Sequence, residues 1–284
     1  MSLEPARSRE LPEPTTAAGR EGLAAFLAEP QRSLAALDYD GTLSTIALRP
    51  EDATPAPGAL EAVGLLAERV GSVVLISGRP AGQLLELTGL RRHPARHLLT
   101  VLAQYGLERW DGSTDQLTSP APLPGVEGAR RALADLLANP HTPQGVSVED
   151  KGQALVVHTR LTSDPDGALG SLRPRLDAIA AQAGLEPHPA RNALELRPPG
   201  YEKGGALLSF ASERGSKAVL FIGDDLGDIP AFDALGRLRG EGIPGLGVVS
   251  DSAEVTGLRE RADLLLDGPP AVVSFLRGLA EQLS

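Results

Sequence analysis

The stretch Ser33-Leu34-Ala35-Ala36-Leu37-Asp38-Tyr39-Asp40-Gly41-Thr42-Leu43 decides the fold of this chain. An apolar run of strand length stops at two carboxylates with one residue between them, and a glycine follows at once. Residues i and i+2 of a strand share a face, so a continuing strand would put both acids on one side. Gly41 marks a turn instead. Acids at the carboxyl end of a buried parallel strand sit where open α/β sheets hold their ligands. Crowded like charges are costly unless a cation or a proton shares the site. A solvated strand-end turn is the bland alternative. Further acids and a lysine near the ends of later strands argue against it.

Outward from this stretch, strand-like and helix-like segments alternate. Residues 23–29 and 59–69 read as helices, 34–38 and 72–76 as strands. The second strand ends in Ser77-Gly78-Arg79-Pro80, and a helix starts at Pro80, well placed in a first turn. A third strand spans 98–103 and ends at Gln104-Tyr105-Gly106-Leu107-Glu108. Such alternation predicts βαβ units and a parallel sheet. After Trp110 the texture changes: residues 111–124 are rich in Gly, Ser, Thr and Pro, a linker composition. Helices follow over 126–137 and 168–183, with strands near 146–148, 154–158 and 193–197. The first two of these strands flank Glu149-Asp150-Lys151-Gly152, which predicts an antiparallel hairpin.

The parallel pattern resumes with a helix over 203–214 and a strand over 217–222, which ends in Gly223-Asp224-Asp225-Leu226-Gly227-Asp228. Short strands at 246–249 and 263–266 and a closing helix at 271–282 complete it. The expected fold class is α/β, a Rossmann-like parallel-sheet core carrying an inserted smaller α+β domain. The expected division is a disordered tail over 1–20, a core over 21–112 and 199–284, and an inserted cap, or lid, over 113–198.

Composition narrows the function. The 284 residues carry a net charge of −10, which argues against a nucleic-acid partner, since such binding rests on neutralising phosphates with basic groups. No apolar run is long enough to span a membrane, and the polar, Pro-bearing first 20 residues are neither a signal peptide nor an anchor. The absence of cysteine rules out disulfides, thiol nucleophiles and Cys-ligated zinc and fits a cytoplasmic location. No oligomeric state is set, and a monomer is compatible with the sequence. Lys and Arg together number 27, yet only Lys151, Lys203 and Lys217 are lysines. In so arginine-rich a chain each lysine is informative, because the two are not interchangeable at a site. His93 and His97 are spaced i,i+4, but Pro94 disfavours a helix there and they read as loop residues.

Four signals lie at or beside the ends of separate strands: Asp38 with Asp40; Ser77-Gly78-Arg79; Lys203 opening a helix after Pro198-Pro199-Gly200; and Asp224, Asp225 and Asp228. The Ser77 hydroxyl suits a phosphoryl oxygen, and crowded carboxylates suit Mg²⁺, which takes one or two carboxylates plus water and phosphate oxygens. Taken singly each has a bland reading as a turn or a solvated charge. Taken in order they resemble the four motifs of the haloacid-dehalogenase (HAD) phosphatase superfamily.

The resemblance implies that Asp38 is the nucleophile and Asp40 the general acid/base. It implies that Ser77 and Lys203 stabilise the phosphoryl oxygens, with Gly41, Thr42, Gly78 and Arg79 around the substrate. Mg²⁺ is then held by Asp38, the Asp40 backbone carbonyl and Asp224, with Asp225 and Asp228 behind them. Within the insert, Glu149-Asp150-Lys151-Gly152, Val156-Val157-His158-Thr159-Arg160 and Leu194-Glu195-Leu196-Arg197-Pro198-Pro199-Gly200 resemble the trehalose-6-phosphate phosphatase family. The stretch at Gln104 to Glu108 does so too. That family often has His where Tyr105 stands, and Thr-Asp-Glu-Asp where this chain reads Gly227-Asp228-Ile229-Pro230. The resemblance implies a Mg²⁺-dependent phosphatase releasing trehalose from trehalose 6-phosphate, with Tyr105, Glu149, Lys151, Arg160 and Glu195 in the substrate site. Sugar hydroxyls both donate and accept, which gives the carboxylates and Lys151 a physical reason to be there. The alternatives are another glycosyl phosphate, such as a glycosylglycerate phosphate, or a catalytically silent partner of a trehalose-synthesising enzyme.

Overall fold

The computed structural model describes residues 11–47, 50–190, 192–251 and 257–284. The chain divides into two compact units, one formed by Met1–Ser119 with Glu202–Ser284 and the other by Pro120–Tyr201.

The first unit is built on an eight-stranded sheet. In chain order its strands are β1 (Ser33–Leu37), β2 (Ser72–Ile76), β3 (Leu99–Ala103), β4 (Glu108–Asp111) and β5 (Gln116–Thr118). The insert takes β6 to β9, and the sheet continues with β10 (Ala218–Gly223), β11 (Gly245–Ser250) and β12 (Leu264–Leu266). The order across the sheet is β12-β11-β10-β1-β2-β3-β4-β5. All pairings from β12 to β3 are parallel, and β4 and β5 extend the sheet antiparallel. The expected α/β class is the one observed.

β1 is buried along its whole length because helices cover both faces, the condition under which a strand reads as an unbroken apolar run. Successive residues serve opposite layers. Ala35 and Leu37 pack with α1 (Ala17–Ala28), α2 (Ala59–Ala67) and α8 (Gly268–Gln282). Leu34 and Ala36 pack with α6 (Lys203–Arg214) and α7 (Ile229–Gly240). In register, Leu37 stands beside Leu75 of β2 and Ile222 of β10. Whatever follows these three residues is thereby gathered at one end of the sheet.

Several expectations are corrected here. The tail expected over 1–20 is helical from residue 17, and residues 1–10 lie outside the described part. The Thr16 hydroxyl caps α1 by accepting from the Gly19 N–H at 2.9 Å, and it also bonds the buried Asp263 carboxylate. That anchor is distant in sequence and hence invisible there. Residues 113–119, expected in the insert, belong to the first unit and carry β5 of the large sheet over 116–118, while residues 199–201, expected in the core, belong to the second unit. The sequence also misses α7, whose Phe232 ring meets Phe221 of β10 edge-on at 5.4 Å.

The second unit holds β6 (Ser147–Asp150), β7 (Leu155–His158), β8 (Glu186–Ala190) and β9 (Ala193–Arg197), ordered β6-β7-β9-β8 and antiparallel throughout. Helices α4 (Pro124–Ala138) and α5 (Pro165–Ala183) cover one face. Leu155, Val157, Leu194 and Leu196 face them over a core with Leu133 and Leu176. The two-residue period puts Val156, His158, Glu195 and Arg197 on the other face. The hairpin expected around residues 149–152 is present as β6 and β7, while β8 has no strand signal in the sequence: its two prolines disguise it, and they are tolerated on an edge strand.

Candidate active site

The chain turns at once after Asp38. The Thr42, Leu43 and Ser44 N–H groups all converge on the Tyr39 carbonyl, and the Tyr39 hydroxyl donates to the Ala53 carbonyl at 2.6 Å. Gly41 has φ +72°, and a Cβ there would overlap the Asp224 carboxylate. This glycine therefore lets the end of β10 close onto the turn after β1. The Ser250 hydroxyl, at the end of β11, donates to the Gly41 carbonyl at 2.6 Å.

Asp38, Lys203, Asp224 and Asp228 are all buried. Lys203 Nζ lies 2.6 Å from Asp38 Oδ1 and 2.7 Å from Asp228 Oδ1. Asp228 Oδ2 accepts the backbone N–H of Asp224 at 2.9 Å and of Asp225 at 3.2 Å. Both Asp228 oxygens are thus committed, and the residue fixes the lysine and the loop together. Asp225 is exposed and caps the turn, accepting from the Gly227 N–H.

Burial alone would lower the Lys203 pKa. The Asp228 and Asp38 carboxylates outweigh it and hold the ammonium well above its ordinary value. Burial pushes the Asp38 carboxyl up, and Lys203 acts against it. Asp224 is pushed up to about 10 by burial and then by Asp38, Asp225 and Asp228.

These facts test the fit of a metal. Asp38, Asp224 and Asp228 present carboxylate oxygens within 4.8 Å of one another, a set of hard donors. A single ammonium does not neutralise the three clustered acids, and burial beside like charges disfavours the ionised form of Asp224. The residues fit a small hard cation, with Asp38 and Asp224 the acids not already committed to the loop backbone.

Asp40 stands outside this cluster. Its carboxylate takes both arms of Arg79, Nε to Oδ2 at 2.7 Å and Nη2 to Oδ1 at 2.8 Å. The guanidinium also lies over the Tyr39 ring, 5.9 Å from its centroid. Ser77 is buried at the end of β2, its hydroxyl accepting from the Arg79 N–H at 3.2 Å. Thr42 is buried, and its hydroxyl has no hydrogen-bond partner among the described residues. Tyr105 stands over Gly78: a Cβ on that glycine would come 2.6 Å from the tyrosine hydroxyl.

Gln104, beside Tyr105, is a residue that the sequence does not single out. It and Tyr105 both have positive φ, 45° and 61°, at a cost on the order of 1 kcal/mol each for residues with a Cβ. Their N–H groups reach across to the loop after β2, Gln104 to the Arg79 carbonyl and Tyr105 to the Ser77 carbonyl, both at 3.0 Å. No local signal announces this corner, since neither residue is one of the usual left-handed formers.

In the second unit, Lys151 Nζ lies 2.9 Å from Glu195 Oε1, and Arg197 lies 3.6 Å from Glu195 Oε2. His158 Nε2 is 2.9 Å from Glu149 Oε2. The structure thus joins Lys151 to Glu195 and gives Glu149 a histidine neighbour. Arg160 is exposed in the turn after β7. His158 and Arg197 are the neighbours that the structure adds beside these carboxylates. Each lies within a stretch already noted, but their partners are set by cross-strand register.

A sequence model described as trehalose-phosphatase matches residues 36–262. The chain belongs to the trehalose-phosphatase family. With that family comes the HAD-type parallel-sheet core that the four motifs resemble. Trehalose-6-phosphate phosphatase of Escherichia coli K12 is 31% identical over 231 residues, covering 78% of this chain and 80% of that one. An uncharacterized glycosyl hydrolase of Mycobacterium tuberculosis is 34% identical over 257 residues, covering 86% of this chain. This chain spans only 18% of that longer protein. Among solved structures, the C-terminal domain of the Candida albicans trehalose-6-phosphate phosphatase superposes with a TM-score of 0.74. It covers 95% of this chain and 99% of that one at 21% identity, which bears on the fold alone.

Proposed function

We propose that this family member is a Mg²⁺-dependent phosphatase that hydrolyses trehalose 6-phosphate to trehalose and phosphate. The observation that carries the reading is the buried meeting of Asp38, Lys203, Asp224 and Asp228 at the ends of β1 and β10. A charged cluster so short of cations is poor structural material, since buried ion pairs seldom add net stability. It suits a substrate that brings its own charge together with a metal.

In this reading Asp38 attacks phosphorus, a P–O bond to the carboxylate forms, and the bond to the sugar oxygen breaks. Asp40 gives the leaving oxygen its proton. It then takes one from the water that hydrolyses the aspartyl-phosphate. The Arg79 fork on both Asp40 oxygens fixes the orientation of the ionised carboxylate, the form that takes the proton from water. Lys203 and Ser77 stabilise the phosphoryl oxygens as charge develops, with Thr42 and the backbone at Gly41 and Gly78 beside them. Asp38, Asp224 and the Asp40 backbone carbonyl would hold Mg²⁺, which supplies neutralisation of the phosphoryl charge when bound. Glu149, Lys151, Arg160 and Glu195 are the proposed readers of the sugar hydroxyls, and Tyr105 a contact at the phosphoryl end.

A phosphate-release assay over a panel of sugar phosphates with Mg²⁺ tests the proposal. Trehalose 6-phosphate is expected to give the highest kcat/KM. A clear preference for a glycosylglycerate phosphate or another glycosyl phosphate would move the substrate assignment. Silence on the whole panel would favour a regulatory partner.

A further inference from the structure

We infer that the Gln104 carboxamide is a substrate-contacting, specificity-determining group that reads a hydroxyl of the sugar ring bearing the phosphate. The inference rests on the sugar-phosphate reading of the site and adds a residue to it. Two independent features of Gln104 converge. The residue is 3% exposed, and neither its amide nitrogen nor its amide oxygen has a hydrogen-bond partner among the described residues. Its backbone is held at φ 45°, with Tyr105 beyond it at φ 61°. Buried polar groups are nearly always satisfied, and residues forced into the left-handed region cluster at functional sites. Finding both at one residue points to a ligand.

Its place in the fold supports the same conclusion. Gln104 follows β3 and donates its N–H to the Arg79 carbonyl, while Tyr105 donates to the Ser77 carbonyl. The corner is thus tied to the loop that carries the phosphoryl-binding hydroxyl and the Asp40 clamp. On its other side Gly106 stands against Ala206 in α6, the helix that Lys203 opens: a Cβ on Gly106 would come 3.0 Å from the Ala206 Cβ. A residue wedged between these two elements lies at the phosphoryl end of the substrate. The chemistry of the amide selects the partner. A phosphoryl oxygen only accepts, leaving the amide oxygen unpaired against negative charge. A hydroxyl both donates and accepts, so it can satisfy either end of a carboxamide. The hydroxyl nearest the ester is the natural candidate.

The test is Gln104→Met, an apolar replacement of similar length, with trehalose 6-phosphate and p-nitrophenyl phosphate as substrates and inorganic phosphate as inhibitor. The second ester has no sugar hydroxyl. We expect kcat/KM for trehalose 6-phosphate to fall about tenfold, the effect of one lost hydrogen bond. Turnover of p-nitrophenyl phosphate and inhibition by phosphate should stay within about twofold. Because an unpaired buried amide is removed, Tm should hold or rise. Equal losses on both esters, no loss on the sugar ester, or a lowered Tm would each overturn the inference. A Met variant that fails to fold would count the same way, since an apolar isostere harms folding only where the amide has a structural partner. If the wild-type protein prefers a different sugar phosphate, the substrate assignment fails by itself. The ratio of that ester to p-nitrophenyl phosphate then decides the role of Gln104.

Discussion

The Lys203 ammonium lies 2.6 Å from the Asp38 carboxylate, and both groups are buried. The same ammonium holds Asp228 at 2.7 Å, so one positive charge spans the ends of β1, α6 and the loop after β10. Removing one member of a buried charge network is costly because the others remain desolvated. Lys203→Met, measured by denaturant unfolding in EDTA, is expected to lose about 3–5 kcal/mol as well as activity. A variant with unaltered stability would show that the lysine is held for chemistry alone.

Asp38→Asn is expected to abolish phosphate release while the protein stays folded, because an amide cannot act as the nucleophile. It keeps the shape of the side chain that meets Lys203. Circular dichroism and a turnover assay on the same preparation check it, and near-normal turnover would remove Asp38 from the reaction.

Activity is expected to vanish in EDTA and to return with Mg²⁺ but not with Ca²⁺, which takes more ligands at longer distances. The reason lies in the clustered oxygens of Asp38 and Asp224. Asp224→Asn should lose the Mg²⁺ response. Full activity in excess EDTA would contradict a metal role for the cluster.

Arg79 holds both oxygens of Asp40, a geometry that lysine cannot reproduce. Arg79→Lys is therefore expected to lower kcat by about 10²-fold, the scale of a misplaced catalytic group, with little change in KM. A fall in substrate affinity with kcat intact would place the arginine on the substrate and not on Asp40.

In the second unit, Glu149→Gln and Glu195→Gln should each cut kcat/KM towards trehalose 6-phosphate steeply and leave p-nitrophenyl phosphate nearly unaffected. A site built to bind hydroxyls discriminates through its own unpaired groups. Equal losses on the two esters would assign these carboxylates to the fold of the unit, where Glu195 already meets Lys151 and Arg197.

His188 supplies a pH dependence of stability. Burial and then Arg197, whose Nη2 lies 3.0 Å from the ring Nδ1, hold its pKa below 6.5. The folded state resists the proton that the unfolded chain accepts. The stabilisation is therefore present above the unfolded pKa and is lost as pH falls through the folded one. Between pH 7 and 5, Tm of the wild type should fall more steeply than Tm of His188→Gln. Parallel curves would refute the linkage.

Local sequence determined the strand Ser33–Leu37, its abrupt end at Asp38, the parallel sheet class and the order of the four acid, hydroxyl and lysine signals. Those features are carried by neighbours along the chain: an apolar run long enough for a strand buried on both faces, a glycine where the turn needs positive φ, a proline opening a helix. Tertiary structure alone decided which groups meet. Of the acids after β10, sequence cannot tell that Asp228 takes Lys203 while Asp225 faces solvent, because the choice depends on how that loop coils. Nor does it show that Asp40 is clamped by Arg79, that Thr16 anchors α1 on Asp263, or that β8 pairs despite its prolines. Each of these rests on sheet register, which brings together residues far apart in the chain. The left-handed corner at Gln104 and Tyr105 is the extreme case: local propensity argues against it, and the hydrogen bonds to Ser77 and Arg79 impose it.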